Sequence, residues 1–333
     1  MTRLLLRMNV LSTLTLALSL LAPALVSAGQ PASQAEAPAL RAGTCSVQGL
    51  MDQIRRGLNS KSQAYKLYLR TLLRESAVNL PLSELQAAFD REYDPVMAEH
   101  LAAALVARTE RDLEPEAMQA VAQRALADRD PAIRAASIRA LRRTGALERS
   151  GDLFERLVRD PSPEVRKEAA TNLVEDNLNV YGGRHGPAAD AAVAAAMASS
   201  DPKVTAQVLG NLMTGEISSE SVRKLQQLLG SASAEVRAAA TTALGGVPAA
   251  EMASARESLL SMYRGERDSE VRKAILASIA RLGFSSAVPE LQRLRGIDPS
   301  LAPEIDSWIR VLNMNLQEWS LILREKQRLQ QAR

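Results

Sequence analysis

The stretch Asp160-Pro161-Ser162-Pro163-Glu164-Val165-Arg166-Lys167-Glu168-Ala169-Ala170-Thr171-Asn172-Leu173 constrains the fold more than any other part of the chain, because variants of it recur from residue 94 to residue 283. Asp-Pro stops one helix and starts the next: the residue before proline is pushed out of helical geometry, and proline itself suits a first helical turn. With Val165 as position 0, apolar side chains follow at +4, +5 and +8, one face of a helix at about 100° per residue. The same template fits Ile133, Val204, Val236 and Val271, broken only by Ser137 and Thr241. A weaker copy starts at Met97 after Asp94-Pro95, and a degenerate one at Ile305. These anchors lie between 32 and 39 residues apart, a spacing that means stacked helix pairs.

Each interval also holds a preceding helix, predicted over 114–127, 152–159, 188–199, 219–229, 249–263 and 287–295. Neither helix of a pair can bury its apolar stripe alone, so neighbouring pairs must stack into a curved rod with one continuous core. The chain is 46% hydrophobic but 3% aromatic, so that core is built from Ala, Leu and Val, whose small side chains suit close helix stacking.

Asp-Pro-x-Pro-Glu-Val-Arg-x-x-Ala-Ala, with Val236-Arg237-Ala238-Ala239-Ala240 and Asp268-Ser269-Glu270-Val271-Arg272 as further copies, resembles the HEAT repeat, in the short form found in phycobilisome lyases. The resemblance spans about two thirds of the chain and implies an all-α, right-handed helical-repeat solenoid of HEAT/armadillo type, with about six to seven helix pairs. It says little of function, since one fold serves many partners. Thr205 departs from the pattern where the family has arginine, as does an insertion over 178–187.

Arg134, Arg166, Arg237 and Arg272 all sit at position +1, inside the arc bounded by positions 0 and +5. There they are expected to point between repeats, with Asp130, Asp160, Asp201 and Asp268 at the elbows as acceptors. The alternative is a ladder of arginines lining an anion-binding groove.

Residues 1–28 read as a secretory signal: Arg3 and Arg7, an apolar run from Met8 to Leu25, then Val26-Ser27-Ala28. An uncleaved anchor is the alternative, since the run approaches the ~20 residues that span a bilayer. No later segment reads as a membrane span. Residues 29–45, rich in Ala, Pro, Gln and Gly, form a flexible linker ending at Cys45, which has no partner for an internal disulfide. Irregular capping helices follow over 46–93, the repeats over 94–301, and a capping helix with a polar tail over 302–333. Ile305, Ile309, Leu312, Leu316, Trp319 and Leu323 keep coiled-coil spacing, so residues 305–323 either cap the solenoid or pair with a second chain. The signal, with 34 arginines against 7 lysines, points to a protein exported to the periplasm or secreted by a Gram-negative bacterium.

Without the signal the chain carries 39 basic and 38 acidic residues, too even a balance to draw nucleic acid or anionic lipid. There is no Gly-x-x-x-x-Gly-Lys-Ser/Thr, His-Glu-x-x-His, Cys-x-x-Cys or Gly-x-Ser-x-Gly, so no motif implies a cofactor, a metal or a catalytic nucleophile. His100, at the polar edge of its stripe, reads as a surface histidine. The insertion places Tyr181, Arg184 and His185 in one glycine-rich loop, either a connector or a contact surface. The leading expectation is a non-catalytic scaffold that binds a protein along the second helices, through Arg139, Arg142, Lys167, Lys273 and Arg281 among small residues such as Gly210, Ala238 and Thr242. A bilin-lyase-like accessory, implied by the family resemblance alone, and a nucleic-acid-binding solenoid are the other classes.

Overall fold

A computed structural model describes residues 46–331 apart from 111–114 and 146–150. The signal, the linker and Cys45 lie outside the described residues. Contacts group residues 42–333 into one compact unit, and the described part of it is helical without a strand.

Two rows of helices alternate along the chain. The first row is α1 (Val47–Leu58), α3 (Leu82–Arg91), α5 (Pro115–Ala127), α7 (Gly151–Leu157), α9 (Gly186–Ala198), α11 (Ser219–Leu228), α13 (Met252–Gly265) and α15 (Val288–Ile297). The second row is α2 (Gln63–Ser76), α4 (Pro95–Glu110), α6 (Pro131–Ala140), α8 (Pro163–Glu175), α10 (Pro202–Asn211), α12 (Ala234–Leu244), α14 (Ser269–Gly283) and α16 (Ala302–Leu312), and a final helix, α17 (Trp319–Gln331), follows. Every second-row helix packs on the next from α2 to α16, and on the first-row helix of its own pair. This is an all-α helical-repeat solenoid.

The template predicts its core. Met97, Ile133, Val165, Val204, Val236, Val271 and Ile305 are all buried, as are the +4, +5 and +8 side chains of each copy except the degenerate last one. The two polar exceptions find partners inside the core: Ser137 Oγ donates to the Ile133 carbonyl at 3.0 Å, and Thr241 Oγ1 donates to Met262 Sδ at 3.9 Å. Elbow aspartates cap the helices that follow, Asp130 accepting from Ala132 N–H, Asp201 from Lys203 N–H, and Asp268 from Glu270 and Val271 N–H. After Asp130 and Asp201 the next residue, Pro131 or Pro202, supplies helical φ where no N–H is needed, and Ser269 takes that place after Asp268.

Three expectations are corrected. His100 is 5% exposed and belongs to the interior, because the flank of α4 it occupies is enclosed by neighbouring helices. The 305–323 seam is not one helix: Asn313 to Glu318 break it, with Asn315 in the left-handed region at φ 55°. α17 then folds back on α16, burying Ile305, Trp308, Leu312 and Ile322 within the chain. Residues 302–333 thus hold two helices, the second running into what reads as a polar tail. Finally, Ser269–Ile297 is long and apolar enough to cross a membrane by length and composition. Phe284 at φ 48° breaks this stretch, and the apolar side of α14 lies in the core.

Candidate protein-docking face

The +1 arginines join consecutive repeats. Arg134 donates from Nε and Nη2 to the two oxygens of Asp160, each at 2.8 Å, and from Nη1 to the Asp128 carbonyl of its own elbow at 2.8 Å. Arg166 repeats this with Asp201 at 2.9 Å and the Asp160 carbonyl at 2.9 Å. Arg237 pairs with Glu266 at 2.7 Å and holds the Ser231 carbonyl at 2.9 Å. Arg272 meets Asp298 at 2.6 Å, and that carboxylate also accepts from the Tyr263 hydroxyl at 3.0 Å. Arg134, Arg166 and Arg237 therefore each clamp their own elbow and the acid of the next one, and Arg272 reaches the next acid, Asp298.

The expected acceptors need two corrections. Asp130 and Asp268 are helix caps, and Glu266 takes the Arg237 bond because it sits two residues before Asp268, where the chain turns into the path of that guanidinium. Hydrogen bonds from Arg237 hold the Glu266 carboxyl well down, at about 2, and those from Arg166 hold Asp201 below the usual range. These charges are consumed in ion pairs between repeats, which removes the material for an anion groove.

Thr205 explains itself in this setting. Its Oγ1 donates to the Ala196 carbonyl at 3.0 Å, keeping the bond to its own elbow. The next elbow is Ser231-Ala232-Ser233, without a carboxylate. Arginine and acid are missing together at the same junction, a signal that was present in the sequence and overlooked there.

On the outer side of the second row, Arg139 pairs with Glu99 at 2.8 Å, Arg142 with Glu168 at 2.6 Å, and Arg143 with Glu175 at 2.9 Å. Further contacts at 3.6 Å and 4.0 Å link Arg139 to Glu168 and Arg142 to Glu175, making one ribbon across α4, α6 and α8. Three acids thus balance three arginines, and the expected mildly basic face is here neutral. At the far end Lys273 pairs with Glu270 at 2.7 Å. Arg281 is half-buried: its guanidinium lies 6.0 Å from the Trp319 ring centre, and burial lowers its pKa. Lys167 stays exposed. Between these ends α8, α10 and α12 present Thr171, Gln207, Gly210, Asn211, Ala238 and Thr242, small or uncharged, with Gln207 bonded to Thr171 at 3.3 Å.

The insertion is not a free loop. α8 continues as a π-turn over Asp176–Val180, the kind of local widening that often marks a functional position in a helix. Tyr181 then stacks on His185 with ring centres 4.8 Å apart, and its hydroxyl donates to the Gly145 carbonyl at 3.1 Å. His185 caps α9, its Nδ1 accepting from Ala188 N–H at 3.2 Å. Gly183, at φ 69°, is pressed against Met213, where a Cβ would come within 2.4 Å of the Met213 Cβ. Asn177 ties the same point to α10 by accepting the Met213 N–H at 2.8 Å. Of the three residues named in this loop, only Arg184 is exposed; beside it Leu178, Val180 and Met213 leave apolar surface in solvent, at 39%, 40% and 43%.

Comparison with known proteins agrees with this geometry. Residues 189–280, from α9 to α14, match the family model described as HEAT repeats. That segment is thus similar to HEAT repeats, and repeats of this kind make a helical scaffold of the sort used in protein interaction. Solved structures of similar fold include E. coli YibA, 15% identical over 85% of this chain and 99% of that one with a TM-score of 0.40. An engineered protein is 19% identical over 79% and 78%, with a TM-score of 0.37. Human deoxyhypusine hydroxylase, solved with glycerol, is 18% identical over 79% and 94%, with a TM-score of 0.28. No curated protein matches the sequence.

Proposed function

We infer that this chain is an exported, non-catalytic adaptor that holds a protein partner on the second-row face of α8, α10 and α12. The observation that carries the reading is the partition of that face: ion pairs fill it from α4 to α8, α17 meets it near Arg281, and the stretch between is uncharged and open. Small side chains there let a partner's backbone approach closely, and the exposed Leu178, Val180, Arg184 and Met213 at the end of α8 supply apolar and cationic contacts at its edge. The export half of the reading rests on residues 1–28, the periplasm or the exterior of a Gram-negative cell being its destination.

The test uses partner recovery from envelope extracts. Gly210 is exposed, and a side chain added there meets only Ala239 at an ordinary 3.9 Å. Gly210→Arg therefore keeps the fold, obstructs the face and should lose the partner that the native chain recovers. Gly265→Arg, on α13 with nothing within 4 Å of an added Cβ, is the control that retains it. Equal recovery by Gly210→Arg and Thr242→Arg would refute this face. Retention of residues 1–28 in the exported protein would refute cleavage.

A further inference from the structure

The solenoid closes its two ends unequally. At the C-terminal end Trp308 and Trp319 stack at 5.5 Å, Lys326 Nζ lies 4.4 Å over Trp308, and Phe284 meets Trp319 edge-on. At the other end apolar side chains are left in water: Leu67 at 64%, Tyr68 at 48%, Tyr93 at 78% and Val96 at 44% exposed. Single exposed apolar residues mean nothing, but a contiguous group marks a contact surface. Here Leu67 and Val96 wall one groove of about 700 Å³ between the α1–α2 turn and the start of α4. Tyr68 and Tyr93, the chain neighbours of Leu67 and Asp94, lie outside its lining.

The groove carries both charges. Arg55 is committed to Glu92 and to Asp52. Lys66 on α2 and Asp94 at the head of α4 stand on its two sides, and among the described residues no ion pair joins them. One Asp94 oxygen accepts the Met97 N–H at 2.9 Å; a carboxylate retains further acceptor capacity beyond that bond.

We propose that this groove is the contact surface for a second copy of the chain, related by a two-fold axis through it. Under a two-fold the same patch meets itself, which sets Lys66 of each copy against Asp94 of the other and covers the exposed Leu67 and Val96 of both copies. A patch with one cation, one anion and an apolar centre is complementary to itself. Of the heptad-spaced residues of 305–323, Ile305 and Leu312 are buried within the chain and Leu323 is 38% exposed.

Sedimentation of the full chain across a wide concentration range tests it. The native chain should show twice the chain mass, and Leu67→Glu or Val96→Glu should halve it with helicity unchanged. Lys66→Glu and Asp94→Lys each set like charges across the axis and should be monomeric alone. Mixed in equal amounts they restore both cross-pairs and should recover the dimer, a rescue that loss of folding cannot mimic. If Asp94→Lys loses its fold with the α4 cap, Val96→Lys takes its place in the mixture. A native chain that is monomeric throughout, a dimer indifferent to Leu67→Glu, or folded variants that fail to combine would overturn the proposal.

Discussion

Replacing Arg134 with alanine removes the most enclosed clamp of the ladder. The side chains of Arg134 and Asp160 are 9% and 8% exposed, so the pair belongs with buried ion pairs rather than surface ones. A surface pair contributes about 0–1 kcal/mol, whereas breaking a buried pair from one side costs about 3–5 kcal/mol. Asp160 keeps one neighbouring bond, from Ser162 N–H at 2.8 Å, and the Asp128 carbonyl loses its guanidinium contact. The lower end, about 3 kcal/mol, is the figure to expect. With an m-value of about 2 kcal/mol/M, that loss lowers the urea midpoint by about 1.5 M.

Lys167→Ala removes the same charge from an exposed position and should lower stability by no more than about 0.5 kcal/mol, a midpoint shift of about 0.25 M at the same m-value. Arg166→Ala should fall between the two, because Arg166 and Asp201 are 18% and 25% exposed. Circular dichroism at rising urea reads all three, and hydrogen exchange should place the Arg134→Ala loss at α6 and α8, since a solenoid's stability is a sum of neighbour terms. Equal midpoints for Arg134→Ala and Lys167→Ala would refute the ladder as a source of cohesion.

Two further outcomes follow from the same contacts. Tyr181→Ala should lower thermal stability by removing the stack on His185 and the bond to Gly145, an effect of about 2 kcal/mol in sum, while Arg184→Ala leaves the melting temperature unchanged; a silent Tyr181→Ala would return the insertion to a simple connector. Glu266 titrates near 2 when folded and near about 4.3 when unfolded, so its contribution is fully present above the higher value and disappears as pH falls through the lower one. The stability advantage of the native chain over Glu266→Gln should therefore shrink between these pH values in acid-denaturation curves, and an advantage constant down to pH about 2 would contradict the Arg237 pairing.

What the sequence disclosed was whatever is encoded within one helix. The stripe at 0, +4, +5 and +8 and the Asp-Pro elbow are local features, and the core from Met97 to Ile279 follows them side chain by side chain. What it concealed depends on a neighbouring repeat. Asp130 and Asp268 look equivalent to Asp160 and Asp201 in the repeat, but the acid that meets each arginine lies between 26 and 35 residues further on, and small changes at the elbow substitute Glu266 for Asp268. Heptad spacing over 305–323 suits one long helix and two helices folded together equally well. Only the turn at Asn315 separates them. Arg139, Arg142 and Arg281 read as free cations because their partners, Glu99, Glu168 and the Trp319 ring, belong to other helices.

The junction of α10 and α12 joins these observations. Arginine and carboxylate are both absent there, so no guanidinium clamp spans this junction. The second-row face is uncharged at the same junction, and Gly210 leaves it without a side chain. Cohesion at this point comes from apolar packing of α10 on α12 and from Thr214 Oγ1, which donates to the Ala243 carbonyl at 2.6 Å. Apolar helix packing has no directional bond to break, so it tolerates small shifts of one helix along the other better than a two-point guanidinium clamp. A partner seated on α8, α10 and α12 would thus meet a junction that no guanidinium clamp holds, which couples this gap in the ladder to the place proposed for docking.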